Sequence, residues 1–502
     1  MKIFSAENIK LWDRFTILNE PVSSINLMER AANKCVEWLE KQGYSGKHFN
    51  IFCGMGNNGG DGLAIARMLT ERKYSVSVFI LETGNKGSED FRINLKRLQN
   101  YVSVEIGFIR NEQDFKKLEQ GEIIIDALLG SGLNRPLEGL AAKQVTYINQ
   151  SGCEVISIDI PSGLFVDSSS KGNPFVHAKH TLSFQSYKIA FLLPENATAT
   201  GEVHILDIGL HPLFYENTSS KFEMIDDALI KSIYKPRDLF AHKGNFGHAA
   251  MIAGSTGMMG AATLCAKACL RSGAGKLTCF VPKSGYEIMQ VTVPEAMSRI
   301  SGRKDFIEIT DGLSQYDSIA IGPGIGLNEN SAGLLENVLK QSDKPIVIDA
   351  DALNILSSNN TLFKGIPSYS ILTPHKKEFE KLFGSSDNDF NQIKLAEQKA
   401  IELNVVIVLK GHFSFIATPV GKGYFNSTGN AGMATGGSGD VLTGILAGLL
   451  SQHYSPVDAA ILGVFLHGVA GDLAAEKFSK EAMVAGDIVD CLGDAFKKFL
   501  EI

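Results

Sequence analysis

Short apolar runs alternate with amphipathic stretches along the chain, and several of the runs end in glycine, aspartate or asparagine. Behind Ser23 and Ser24, which can cap a helix, Leu27, Met28, Ala31, Ala32, Cys35 and Leu39 recur at helical spacing and predict an amphipathic helix. Residues 49–53 then read as a short strand, 54–62 as a glycine-rich turn, 63–72 as a helix and 76–81 as a second strand. That order is the right-handed crossover unit of a parallel sheet. Runs at 122–125, 155–158 and 203–208 supply further strands, the first two opening onto Asp126 and Asp159.

A polar, weakly patterned stretch at 217–221 interrupts the alternation, which restarts with a strand at 249–253, a helix over 261–271 and a strand at 276–281. Strands at 318–321, 345–348, 369–372 and 405–409 follow, and a small-residue helix at 441–450 sits directly behind a second glycine cluster. The fold class is therefore α/β, with one doubly wound domain over 1–218 and a second, kinase-like one over 219–502. Length agrees, since 502 residues exceed what one core usually serves.

Composition narrows the function classes. The net charge is −7 and no basic stripe is interleaved with aromatics, which argues against nucleic acid as a partner. A hydrophobic content of 44% argues against extensive disorder. Glu7 and Asp13 stand where a secretory leader would be apolar, so none is expected. The longest uncharged run, 249–266, is broken by Gly254, Ser255, Thr256, Gly257 and Gly260, so it reads as strand, loop and helix and no membrane span is expected. Seven cysteines without a CxxC pair fit no closed disulfide framework, and a reducing cytoplasm is the expected setting.

Candidate chemistry gathers at the ends of the strands, where parallel sheets bind ligands. Gly436, Gly437 and Gly439 free successive backbone N–H groups to form an anion cradle at a helix start, and Asp440 follows in the first turn. A phosphate would repel that carboxylate unless it faced an acceptor hydroxyl, the layout of a general base in phosphoryl transfer; an N-cap is the plainer alternative. In the first half Gly54, Gly56 and Gly59 match GxGxxG, but Asn57, Asn58 and Asp61 put carboxamides and a carboxylate where a dinucleotide turn needs bare backbone. Oxygen donors without His or Cys suit a hard cation or a polar ring substituent. Near Asn58, Asp126 and Asp159 three strand ends line one crevice. In the second half Asp349 could help to organise Mg²⁺, Asp351 reads as a helix cap, the His375–Glu378 pair as a hydrogen-bonding site for a polar substrate, and Lys410 faces either a phosphate or a structural acid.

Gly54 to Gly62 with Asp159 to Gly163, followed by 347–353, 373–379 and Asn430 to Asp440, resembles the bifunctional NAD(P)H-hydrate repair enzymes over nearly the whole chain. That family joins a Rossmann-like hydrate epimerase to a ribokinase-like, ADP-dependent hydrate dehydratase. The resemblance implies that Asn57, Asn58, Gly59, Gly60 and Asp61, the loop of Gly130, Ser131, Gly132, Leu133, Asn134, Arg135 and Pro136, and Asp159 contact hydrated NADH or NADPH (NADHX, NADPHX). It implies a potassium ion on Asn58, Asp126 and Ser162, the last in place of the expected threonine. In the second domain it implies hydrate binding by Gly326 and by His375, Lys376, Lys377, Glu378, Phe379, Glu380 and Lys381. ADP, with Mg²⁺, would be held by Lys410, Gly411, His412, Phe413 and Ser414 and by Asn430, Ala431, Gly432, Met433, Ala434, Thr435, Gly436, Gly437, Ser438 and Gly439, with Asp440 as the base. Phosphorylation would turn the hydrate's hydroxyl into a leaving group that the ring nitrogen can expel. A ribokinase-type vitamin or sugar kinase with a fused regulatory domain and a non-catalytic first domain remain open as alternatives. Exposed apolar helices would suit a homo-oligomer.

Overall fold

Two helices open the chain, α1 (Ala6–Asn19) and α2 (Ser24–Lys41). The second turns Leu27, Met28, Ala31, Ala32, Cys35 and Leu39 inward as the spacing predicts. The first was not legible as a helix; Ser5 caps it by accepting the Asn8 amide, and Trp12 and Thr16 bury its inner face. The computed structural model describes residues 1–500 apart from Thr83, Asn85 and Ile309. By its internal contacts the chain separates into Met1–Ser220 with Asn388–Phe390, and Lys221–Asp387 with the residues from Asn391 onward.

The first unit holds a parallel sheet of β1 (His48–Cys53), β2 (Ser75–Leu81), β3 (Glu105–Ile109), β4 (Ile123–Ala127), β5 (Glu154–Ile158), β6 (His180–Phe184) and β7 (Glu202–Leu206) in the order β3-β2-β1-β4-β5-β6-β7. Strand order reverses beside β1, the switch point at which such sheets place ligands. There α3 (Asn57–Glu71) begins, six residues earlier than its pattern predicts. What reads as a glycine turn is thus mostly helix. The reason is packing: a Cβ on Gly59 would lie 1.7 Å from the Gly54 carbonyl oxygen, so glycine alone lets the first turn of α3 lie against the end of β1.

The second unit carries β8 (Phe222–Met224), β9 (His248–Ile252), β10 (Lys276–Val281), β11 (Met297–Ile300), β12 (Ser318–Ile321), β13 (Ile346–Ile348), β14 (Ile371–Leu372), β15 (Val406–Leu409), β16 (Ser414–Ala417) and β17 (Gly423–Asn426). Its order is β8-β17-β16-β15-β14-β13-β12-β9-β10-β11, parallel except where β16 runs antiparallel to both neighbours. Three of its helices matter most: α4 (Met259–Arg271), α5 (Ser438–Ser451) and α6 (Pro456–Phe478). The run at 249–266 resolves into strand, loop and helix as expected. α6 is long and apolar enough to cross a membrane, but 72% of its most apolar window is buried in the unit's own core, the pattern of a core helix.

Candidate active sites

In the first unit a cavity of about 640 Å³ gathers most of the residues expected there. Asn57, Asn58 and Asp61 from α3, Gly130, Ser131, Gly132, Leu133, Asn134 and Arg135 from the loop after β4, and Asp159 after β5 all line it. Gly59 and Gly60 are buried behind that wall. The remaining lining includes Lys10, Trp12, Asp13 and Arg14 of α1.

Asp159 is the most constrained of these. It holds a left-handed backbone (φ 66°), unusual for a side chain with a Cβ. Its Oδ2 accepts the Ser131 amide at 3.1 Å and its Oδ1 lies 2.8 Å from the ammonium of Lys188. Lys188, wholly buried, also donates to Ser183 Oγ at 2.6 Å. Burial alone would raise the Asp159 carboxyl, but Lys188 and the Ser131 amide outweigh it and hold it below the usual range. Its neighbours move the other way. Burial and then the charge of Asp159 push Asp13 up to about 7, and the same causes, joined by Asp13 and Asp90, push Asp61 well up.

Beneath them Asp126 is fully buried, accepting from Ser162 N (2.9 Å), Ser162 Oγ (2.6 Å), Ser157 Oγ (2.8 Å) and Leu128 N (3.3 Å). Asn58 is buried with both side-chain amide atoms lacking a partner, an arrangement that costs about 1–3 kcal/mol per group unless something completes it.

In the second unit α5 begins at Ser438, with Gly437 as a left-handed N-cap (φ 91°), so Asp440 stands in its first turn. Asp440 is not the cap, and its carboxylate accepts no hydrogen bond among the described residues. Close by, Lys410 Nζ lies 3.0 Å from Asp349 Oδ1, while Asp349 Oδ2 accepts Thr443 Oγ1 at 2.6 Å. A Cβ on Gly439 would sit 3.3 Å from Lys410 Nζ, so the start of α5 lies close against that lysine. Burial and then Asp349 raise the Asp440 carboxyl to about 6, with Lys410 pulling down.

Several expectations need correction. Asp351 does not cap its helix through its side chain; it accepts the Gly326 amide at 2.9 Å and so fixes that loop. Asp349, weighed as a magnesium ligand, is committed to Lys410 and Thr443. His375 and Glu378 form a reciprocal helix cap: His375 Nδ1 accepts the Lys377 and Glu378 amides, and Glu378 accepts the His375 amide at 2.9 Å. HxxE here is thus the start signal of Lys376–Phe383. Phe379 is wholly buried against Phe383, and Lys381 donates to Asn354, so the side chains at 378, 379 and 381 serve the fold; Lys376, Lys377 and Glu380 are exposed or half-buried on the same helix. Asn430 spends its amide on Gly471 O and Asp472 of α6. Gly411 and His412, exposed, and Phe413, half-buried, form the turn that joins β15 to β16, which opens on half-buried Ser414.

The sequence reading missed Asp13 and Lys188 as site residues. Lys188 had a signal: a lone cation directly before the apolar run 189–193. Asp13 had none without α1 as a helix.

Two family models match the chain in order, one described as YjeF-related protein N-terminus over residues 24–190, the other as NAD(P)H-hydrate dehydratase over residues 249–493. The bifunctional NAD(P)H-hydrate repair enzyme Nnr of Moorella thermoacetica is 35% identical over 510 residues, covering 98% of this chain and 96% of that protein. Its counterpart in Thermofilum pendens is 33% identical over 513 residues, covering 100% and 97%. Among solved structures, a ribokinase-like superfamily protein from Enterococcus faecalis is similar to 56% of this chain and 98% of its own length, at 28% identity and a TM-score of 0.50. With both halves matched and relatives at a third identity from end to end, the chain belongs to the bifunctional NAD(P)H-hydrate repair enzymes.

Proposed function

We propose that this chain restores hydrated NADH and NADPH in two steps, residues 1–218 interconverting the R and S hydrates and residues 219–502 dehydrating the S hydrate with ADP. Membership of the repair family supports the pairing. The observation that carries it is Asp440, a carboxylate at a glycine-built helix start that accepts no hydrogen bond among the described residues and stands beside a strand-end lysine. Asp440 would take the hydroxyl proton as that oxygen attacks the β-phosphorus of ADP and AMP leaves. The ring nitrogen's lone pair then expels phosphate, and loss of a proton from the neighbouring ring carbon restores the dihydropyridine. Gly436 to Gly439 would hold the diphosphate, with Lys410 as its counter-charge.

Potassium is assigned to Asn58, Asp126 and Ser162. The donor set supports it: an amide oxygen that lacks a partner and a buried carboxylate that forms no ion pair among the described residues. Bound there, the ion would balance Asp126 and hold the start of α3 against the Ser162 loop. Mg²⁺ would arrive with the nucleotide, coordinated largely by phosphate oxygens and water. Seven unpaired thiols suit a reducing cytoplasm. Leu239 and Phe240, 90% and 92% exposed, favour a homo-oligomer, which sedimentation would test.

The deciding assay incubates hydrated NADH with the protein, with and without ADP, and follows dihydronicotinamide absorbance. ADP-dependent recovery is expected, and its absence refutes the reading.

A further inference from the structure

The cavity of the first unit is lined by three carboxyls, Asp13, Asp61 and Asp159, whose surroundings shift them in opposite directions. Asp159 is fully engaged, by Lys188 at 2.8 Å and the Ser131 amide at 3.1 Å, and stays charged. Asp13, half-buried on α1 and lining the same cavity, makes no hydrogen bond or ion pair among the described residues. Yet its helix is held firmly. Trp12 Nε1 donates to His211 O at 2.9 Å, its ring stacks on Phe214 at 5.8 Å, and Thr16 Oγ1 accepts the His211 amide at 2.9 Å. A carboxyl mounted on an anchored helix, facing a cavity and bonded to nothing, is arranged for a ligand.

Its surroundings set its proton. Asp159 faces it with negative charge, Lys188 stands behind Asp159 and pulls the other way, Asp61 with its own carboxyl pushed well up lines the same wall, and so do Lys10, Arg14 and Arg135. Burial and Asp159 together keep Asp13 protonated to about pH 7. Two acids whose environments drive them apart form an acid–base pair.

We propose that Asp13 is a catalytic residue of epimerisation, the acid that gives a proton to the ring nitrogen of the bound hydrate and takes it back. The inference rests on the proposed epimerase activity of this unit. The hydroxyl-bearing carbon is bonded to that nitrogen, so the ring can open and reclose. Asp159 takes the hydroxyl proton as the carbon–oxygen bond becomes a carbonyl, the carbon–nitrogen bond breaks, and Asp13 protonates the nitrogen. The carbonyl arm turns, the nitrogen adds to its other face, Asp13 removes the N–H proton and Asp159 returns its own to oxygen. Atoms and charges balance, and both carboxyls end as they began.

The test follows interconversion of the separated R and S hydrates by chromatography, with ADP omitted. Asp13→Asn should lower kcat by about 10²–10⁴-fold while KM stays within about threefold. Asp13→Glu should recover part of the rate. Wild-type kcat should fall as pH rises through about 7, and Asp13→Asn should lose that limb. Asp13→Asn turning over within threefold of wild type overturns the proposal, as does an unchanged pH profile. If wild type itself does not interconvert the hydrates, it is the epimerase reading that fails.

Discussion

Lys188 Nζ lies 2.8 Å from Asp159 Oδ1, and Lys188 is 0% exposed. Lys188 is the leading cause that holds the Asp159 carboxyl down. Removing the lysine therefore strands a buried carboxylate, which typically costs about 3–5 kcal/mol. Lys188→Met should destabilise the first unit by that order in chemical denaturation and abolish epimerisation. An unchanged unfolding midpoint would show that the pair is not needed.

Asp440→Asn separates the two activities. A general base contributes about 10²–10⁴ in rate, so ADP-dependent dehydration of the S hydrate should fall by that factor while R–S interconversion persists. Equal loss of both would refute the division of labour.

The pH dependence of dehydration carries the same residue's signature. A base acts only when ionised, and burial with Asp349 raises the Asp440 carboxyl to about 6. Dehydration should be constant above that value, halved near it and reduced about tenfold per unit below. Lys410 pulls the carboxyl down, so Lys410→Met should carry the acid limb to higher pH. If the limb stays in place, Lys410 does not act on Asp440.

What was legible in the sequence followed from periodicity. The strands that end at Asp126, Asp159 and Lys410 lie within a residue or two of where their apolar runs predict them, because a parallel strand buried on both faces is apolar from end to end. Asn58 and Asp61 were found because they follow β1, the Gly130 loop and Asp159 because they follow β4 and β5, and the fold brings them to one cavity. Asp13 was not found: α1 has a narrow apolar stripe, held by Trp12 and Thr16 through partners near 211–214, about two hundred residues away in sequence. His375 and Glu378 misled for a local reason. A helix cap and a metal motif use the same spacing, and only the hydrogen bonds tell them apart.

Asn58 allows the sharpest separation of stability from function. Both its amide atoms are buried without partners, so its polarity contributes no hydrogen bond within the protein. Replacing a buried, unsatisfied amide by an apolar group of similar shape removes a desolvation penalty and breaks no hydrogen bond. Asn58→Leu should accordingly leave the protein without added potassium as stable as wild type, or more so, by thermal unfolding. If the amide oxygen serves an ion, the same variant should lose any rise in melting temperature on titration with KCl against a choline chloride control, and epimerisation should lose its response to potassium. Asp126→Asn should weaken that response too, but at a cost in stability, because Asp126 accepts four hydrogen bonds, two of them from the Ser162 loop. Retention of a full potassium response by Asn58→Leu would remove Asn58 from the ion site.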